Sequence, residues 1–203
     1  MYKRQQDIDA RRIRGLALGY VMLTDTVDTN CYCLAESIFA QSDNLTDSMY
    51  ALEALVVRSD YDPSALLNEF YTRSKSHDLL MDKWFYLMAM RAMDDPIGHM
   101  QRLMAHKDCD WTRPNRVMAC FSGFLSGNFT SLHARDGSGY DWVFDCVNKM
   151  DGINPFAATR MVKPLLSLHY YDAHRAKLMR SVLRKLYTSS ISAPLKEVVF
   201  KGL

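Results

Sequence analysis

Asp62-Pro63-Ser64-Ala65-Leu66-Leu67-Asn68-Glu69-Phe70-Tyr71, followed closely by Asp78-Leu79-Leu80-Met81-Asp82-Lys83-Trp84-Phe85-Tyr86-Leu87-Met88, decides the fold class. Each segment opens on an aspartate whose carboxylate can accept a free backbone N–H at a helix start. In the first, a proline follows where a missing donor costs nothing. Leu66, Leu67, Phe70 and Tyr71 then recur at helical spacing, as do Leu80, Trp84, Leu87 and Met88. The connection between the two is short, so the helices are expected to be antiparallel neighbours.

The same grammar extends in both directions. Asp95-Pro96 repeats the aspartate–proline start, and Asn44 reads as a further cap before the stripe Leu52, Leu55 and Val56. Helices are expected over about 6–23, 30–41, 115–127, 139–150, 155–169, 172–187 and 194–201. Pro164 should kink or split the 155–169 helix. Asp172 should cap the helix after it, Gly137 should adopt positive φ, and Ser138 should cap the helix it precedes. Gly123 and Gly127, four apart, should let a neighbouring helix approach closely. No segment reads as a β-hairpin and no low-complexity linker interrupts the chain. Residues 1–203 are therefore expected to form a single all-α domain of stacked antiparallel hairpins.

Composition narrows the function classes. Lys plus Arg total 25 and Asp plus Glu 23, leaving no net field that would select nucleic acid or an anionic membrane. No apolar run approaches the roughly 18 residues of a membrane span, and the N-terminal residues are polar, without a signal core. Five cysteines, an odd number without a C-x-x-C pair, fit a reducing compartment, so a cytoplasmic protein is expected. Cys120 and Cys146 should be buried thiols. The thirteen methionines, many at helical spacing, are expected to fill the core.

Candidate chemistry is thin. None of the six histidines is followed by Glu, so there is no H-E-x-x-H zinc site. His99, His106 and Cys109 lack the carboxylate partner that would complete a metal motif. Asp136-Gly137-Ser138-Gly139-Tyr140 lacks the third glycine of a dinucleotide fingerprint and the lysine of a phosphate loop. Ser122, Ser126 and Ser131 have no convincing His and acid partners for nucleophilic catalysis. No catalytic residue and no metal ligand is expected in this chain, and no cofactor.

A series of short motifs points to a family. Asn44-Leu45-Thr46-Asp47, Met81-Asp82-Lys83-Trp84-Phe85, Pro114-Asn115-Arg116-Val117, His133-Ala134-Arg135-Asp136-Gly137-Ser138-Gly139-Tyr140, Asn154-Pro155 and Tyr171-Asp172-Ala173-x-Arg175 occur in this order. Together they resemble the C-terminal helical domain of the bacterial-type alanyl aminopeptidases, the M1 zinc metallopeptidases. The resemblance runs from about Arg11 to Leu203. It implies an ARM/HEAT-like superhelical array that packs on a catalytic domain of the same polypeptide and encloses the cavity where N-terminal residues are removed from peptides. Zinc belongs to that full-length enzyme, and the Gly-x-Met-Glu-Asn loop that binds the substrate amine in the family is absent here. Relatives continue upstream with more helices, so Met1 is expected to mark a truncation, leaving apolar surface on the first helices.

Four positions carry over as substrate-cavity residues: Arg160, Met118, Asn115 and Arg116. Arg160 matches an arginine facing the cavity in bacterial relatives, although an interdomain or surface ion pair would serve it equally. Met118 stands where those relatives carry a cavity-lining arginine, so the charge is lost there. Asn115 and Arg116 match the motif, with buried hydrogen bonding at a helix start as the competing reading. The rival function is a stand-alone helical-repeat module that binds a peptide or protein on its concave face.

Overall fold

Side-chain caps start six of the helices. The structure, a computed structural model, describes residues 2–24 and 28–203, with residues 2–6 described by their backbone only. The order is α1 (Tyr2–Met22), α2 (Thr29–Gln41), α3 (Leu45–Val56), α4 (Ser64–Ser74), α5 (Asp78–Met90), α6 (Pro96–Met104), α7 (Pro114–Gly127), α8 (Phe129–Leu132) and α9 (Ser138–Asp151). It continues with α10 (Pro155–Met161), α11 (Lys163–Leu166), a single 3₁₀ turn at Leu168–Tyr170, α12 (Ala173–Thr188) and α13 (Ala193–Phe200). No strand occurs among the described residues. The chain is an all-α stack of helical hairpins.

Asn44, Asp95, Asn154 and Asp172 each accept backbone N–H bonds at the starts of α3, α6, α10 and α12. Asp28 and Ser192 do the same for α2 and α13. Three starts differ from the sequence reading. At Asp62-Pro63 the helix begins one residue later than expected. One carboxylate oxygen of Asp62 takes both the backbone N–H and the hydroxyl of Ser64, at 3.1 and 2.5 Å, and this leaves Pro63 in the capping position. Asp78 does not cap α5 but is its first residue, because its carboxylate reaches across to Arg113 and Arg116. Ser138 likewise opens α9 without capping it. Asp136 holds its N–H and hydroxyl at 3.0 and 2.8 Å, while Gly137 adopts the expected positive φ of 83°. The expected 155–169 helix is split into α10, α11 and the 3₁₀ turn around Pro164.

Stacking follows from the buried faces. α3 packs against α1 and α2, α4 against α5, α9 against α10 and α12, and α13 against α10 and α12. The tightest pair is α5 with α7. A Cβ at Gly123 would lie 2.2 Å from the Tyr86 carbonyl oxygen, and one at Gly127 2.3 Å from that of Met90. Only glycine lets these backbones approach so closely. Around this seam Leu52, Leu55, Phe85, Leu87, Phe121, Phe124, Val143 and Val147 are buried. Met22, Met100, Met150, Met161 and Met179 fill the core as expected, and Cys120 and Cys146 are buried with them. The face of α1 bearing Ile13, Leu16, Tyr20 and the following Leu23 is uncovered; Leu16 is 61% and Tyr20 73% exposed. No helix among the described residues is long and apolar enough to cross a membrane.

Candidate functional site

Met118, Phe121, Ser122 and Leu125 recur at helical spacing along one side of α7. Arg160, in the last turn of α10, faces them together with Lys163 and Pro164 of α11 and Ser167. These residues line a cleft of about 420 Å³. Asn154 positions its cationic wall by accepting the Ala157 N–H at 3.0 Å, which starts α10. The break between α10 and α11 then carries Lys163 onward beside Arg160. No Asp or Glu lines the cleft, and neither cation is ion-paired among the described residues. The result is a mixed floor, Met118 and Leu125 beside Ser122, under two positive charges without ion pairs, suited to hold an extended chain bearing a carbonyl or carboxylate.

The expected site residues divide between this cleft and the interior. Met118 and Arg160 are brought together. Asn115, on the first turn of α7, is exposed and lies outside the cleft. Arg116 points to the other side of α7, a shift of two residues from Met118, and is only 4% exposed. Its guanidinium pairs with Asp82 and donates to the Asp108 carbonyl at 2.8 Å and the Asp78 carbonyl at 3.3 Å. It also lies 5.2 Å from the Phe85 ring centroid. Arg116 thus locks α5, the α6–α7 connection and α7 together and has no donor left for a ligand in the cleft. Lys163, Phe121 and Leu125 were not singled out in the sequence. Lys163 lies three residues beyond Arg160, a spacing that would have flagged it had Pro164 not suggested a break.

The motifs behind the family resemblance also meet in space. Asp82 and Phe85 of one contact Arg116 of the next. His133, Tyr140, Tyr171, Asp172 and Arg175 form a second joint. The His133 ring stacks on Tyr171 at 4.3 Å and lies 2.9 Å through Nδ1 from the Tyr140 hydroxyl. Arg175 donates to the His133 carbonyl at 2.7 Å and pairs with Asp172 at 2.7 Å. Burial, then the Arg175 charge, lowers the His133 pKa. Burial also lowers that of His99, whose Nε2 lies 2.8 Å from the Met88 carbonyl. These side chains hold helices together. Among the described residues no three His, Cys, Asp or Glu side chains are placed to hold a metal ion.

Stacked helical hairpins presenting an open, cationic cleft define a helical-repeat domain. The chain belongs to the family described as "Domain of unknown function (DUF3458_C) ARM repeats", which matches residues 1–203. It is 30% identical to aminopeptidase N of Escherichia coli over 199 residues and 31% identical to that of Haemophilus influenzae over 200 residues. Each alignment covers 98% of this chain and 23% of the relative. The crystal structure of Legionella pneumophila aminopeptidase A in complex with aspartic acid superposes with a TM-score of 0.83 at 26% identity, covering 95% of this chain and 22% of that one. The chain therefore spans less than a quarter of the length of these relatives.

Proposed function

We propose that this chain is the helical C-terminal portion of an alanyl-type aminopeptidase, where it walls the substrate cavity and contacts the peptide beyond the scissile bond. The observation that carries this reading is the cleft between α7 and α10–α11. Arg160 and Lys163 stand unpaired there above Met118, Phe121 and Leu125, in a domain whose relatives are aminopeptidases along its whole length. The partner is a catalytic domain in the same polypeptide, and the exposed α1 face is apolar surface available for packing against further protein. Zinc chemistry would lie with that catalytic domain, as the similarity to aminopeptidase N implies for a full-length enzyme.

Within a partly dehydrated cavity the Arg160 guanidinium makes a charge-assisted hydrogen bond to a peptide carbonyl or carboxylate. Such a bond contributes about 1.5–3 kcal/mol, roughly ten- to a hundredfold in an equilibrium constant. In the full-length enzyme, Arg160→Ala should lower kcat/KM for tri- and tetrapeptides by about that factor. It should leave a small alanyl anilide, which does not extend so far, nearly unaffected. Equal losses on both substrates would mean a disturbed domain interface, and no loss on either would remove Arg160 from the site.

A further inference from the structure

Away from the cleft, sulfur is concentrated where the α6–α7 connection meets α7 and α9. Cys109 lies in that connection, Cys120 in the second turn of α7, Cys146 in α9 and Met104 at the end of α6. The Cys109 and Cys120 sulfurs are 4.0 Å apart, and Cys146 Sγ is 3.9 Å from Met104 Sδ. Cys109 is 7% exposed and Cys120 fully buried. The two thiols come from separate elements, and nothing in the peptide cleft requires either of them.

We propose that Cys109 and Cys120 are a peroxide-oxidisable dithiol that closes to an intrachain disulfide. A disulfide needs sulfurs about 2.05 Å apart, so this pair must approach by about 2 Å. Cys120 is fixed in a helix, whereas Cys109 sits in a non-helical connection, so the motion falls on Cys109. The chemical asymmetry matches. The Cys120 S–H bonded to it, and then the charges of Arg116 and Lys149, hold the Cys109 thiol below its ordinary pKa. The same bond, and then burial, hold the Cys120 thiol well above its ordinary pKa. A thiolate is the nucleophile in such oxidations, which makes Cys109 the attacking sulfur and Cys120 the resolving one.

The Cys109 thiolate attacks one oxygen of hydrogen peroxide and the O–O bond breaks. The departing hydroxide takes up a proton to become water and leaves Cys109 as a sulfenic acid. Cys120 sulfur then attacks Cys109 sulfur, the S–S bond forms and the S–O bond breaks. The second hydroxide leaves with the Cys120 proton as another water. Two thiols lose two electrons and one peroxide is reduced to two waters.

The test exposes the reduced, folded chain to hydrogen peroxide, alkylates the remaining thiols after unfolding, and maps the peptides by mass spectrometry. The expected product is a Cys109–Cys120 cross-linked peptide pair, lighter by two hydrogens and reopened by dithiothreitol, with Cys146 still alkylated. Cys31 and Cys33 are the internal reference. They are two residues apart on α2, which turns their side chains to different sides of the helix, and Cys33 is exposed. Oxidation confined to them, with Cys109 and Cys120 both alkylated, overturns the proposal, as does a cross-link from either buried thiol to Cys146. In Cys120→Ser the Cys109 sulfenic acid should persist and be trapped by dimedone. The wild-type map decides the matter even if that variant fails to fold.

Discussion

Arg116 directs its guanidinium donors entirely into the protein. Removing it leaves Asp82 without its charge partner and the Asp108 carbonyl without its donor. Truncating one partner of a buried ion pair costs about 3–5 kcal/mol, so Arg116→Ala should lower the urea midpoint strongly. Arg160→Ala, at an exposed residue without an ion pair, should stay within about 0.5 kcal/mol of the parent. Comparable losses from both would show that Arg160 is structural. The histidines set a second test. His99 and His133 have pKa values lowered by burial, so their folded forms remain neutral where unfolded imidazoles, at about 6.5, begin to take up protons. The unfolded state then binds more protons, and stability falls as pH drops below about 6.5 and is fully present above it. Asp60 and Asp172, held near about 2 by Arg58 and Arg175, lose their contribution only as pH falls from about 4 toward about 2. A thermal midpoint that declines from about pH 7 to about pH 5 and is flattened by His99→Gln would fit; a flat profile in the parent would refute the histidine argument.

Helix α7 carries two opposing tendencies that one substitution separates. Gly123→Ala or Gly127→Ala should favour the isolated helix by about 1 kcal/mol. Either new methyl would meet backbone carbonyls of α5 within 2.3 Å, and overpacking of this kind costs about 1–3 kcal/mol. Net destabilisation in urea unfolding is expected, and a more stable variant would show that the α5–α7 seam can open. The capping predictions work at the same scale. Asp172→Ala removes an acceptor for the His174 and Arg175 N–H groups and should cost about 1 kcal/mol. The caps at Asn44, Asp95 and Asp172 were legible because a cap and the backbone N–H that donates to it lie within three residues. Asp78 was not, since its carboxylate is drawn to Arg113, 35 residues away. At Asp62 the competing acceptor geometry with Ser64 is local, but it depends on a hydroxyl that composition alone does not orient.

For the molecule as a whole, the expectation is an inert domain. The isolated 203-residue chain should carry no stoichiometric zinc and release no alanine from an alanyl anilide. A chelator-sensitive activity that follows mutations in this chain would overturn the proposed division of labour. What the sequence determined by itself is most of the helices, the caps at Asn44, Asp95 and Asp172, the close glycine seam and the absence of an H-E-x-x-H motif, because each depends on neighbours within about one or two helical turns. Which arginine faces open space and which is locked inside was decided only in the tertiary structure. Arg116 and Met118 are two residues apart on α7 yet face opposite sides, one toward Asp82 in α5 and the other toward Arg160 in α10. Those partners come from distant parts of the chain, and only the packing of α5, α7 and α10 brings each to its place.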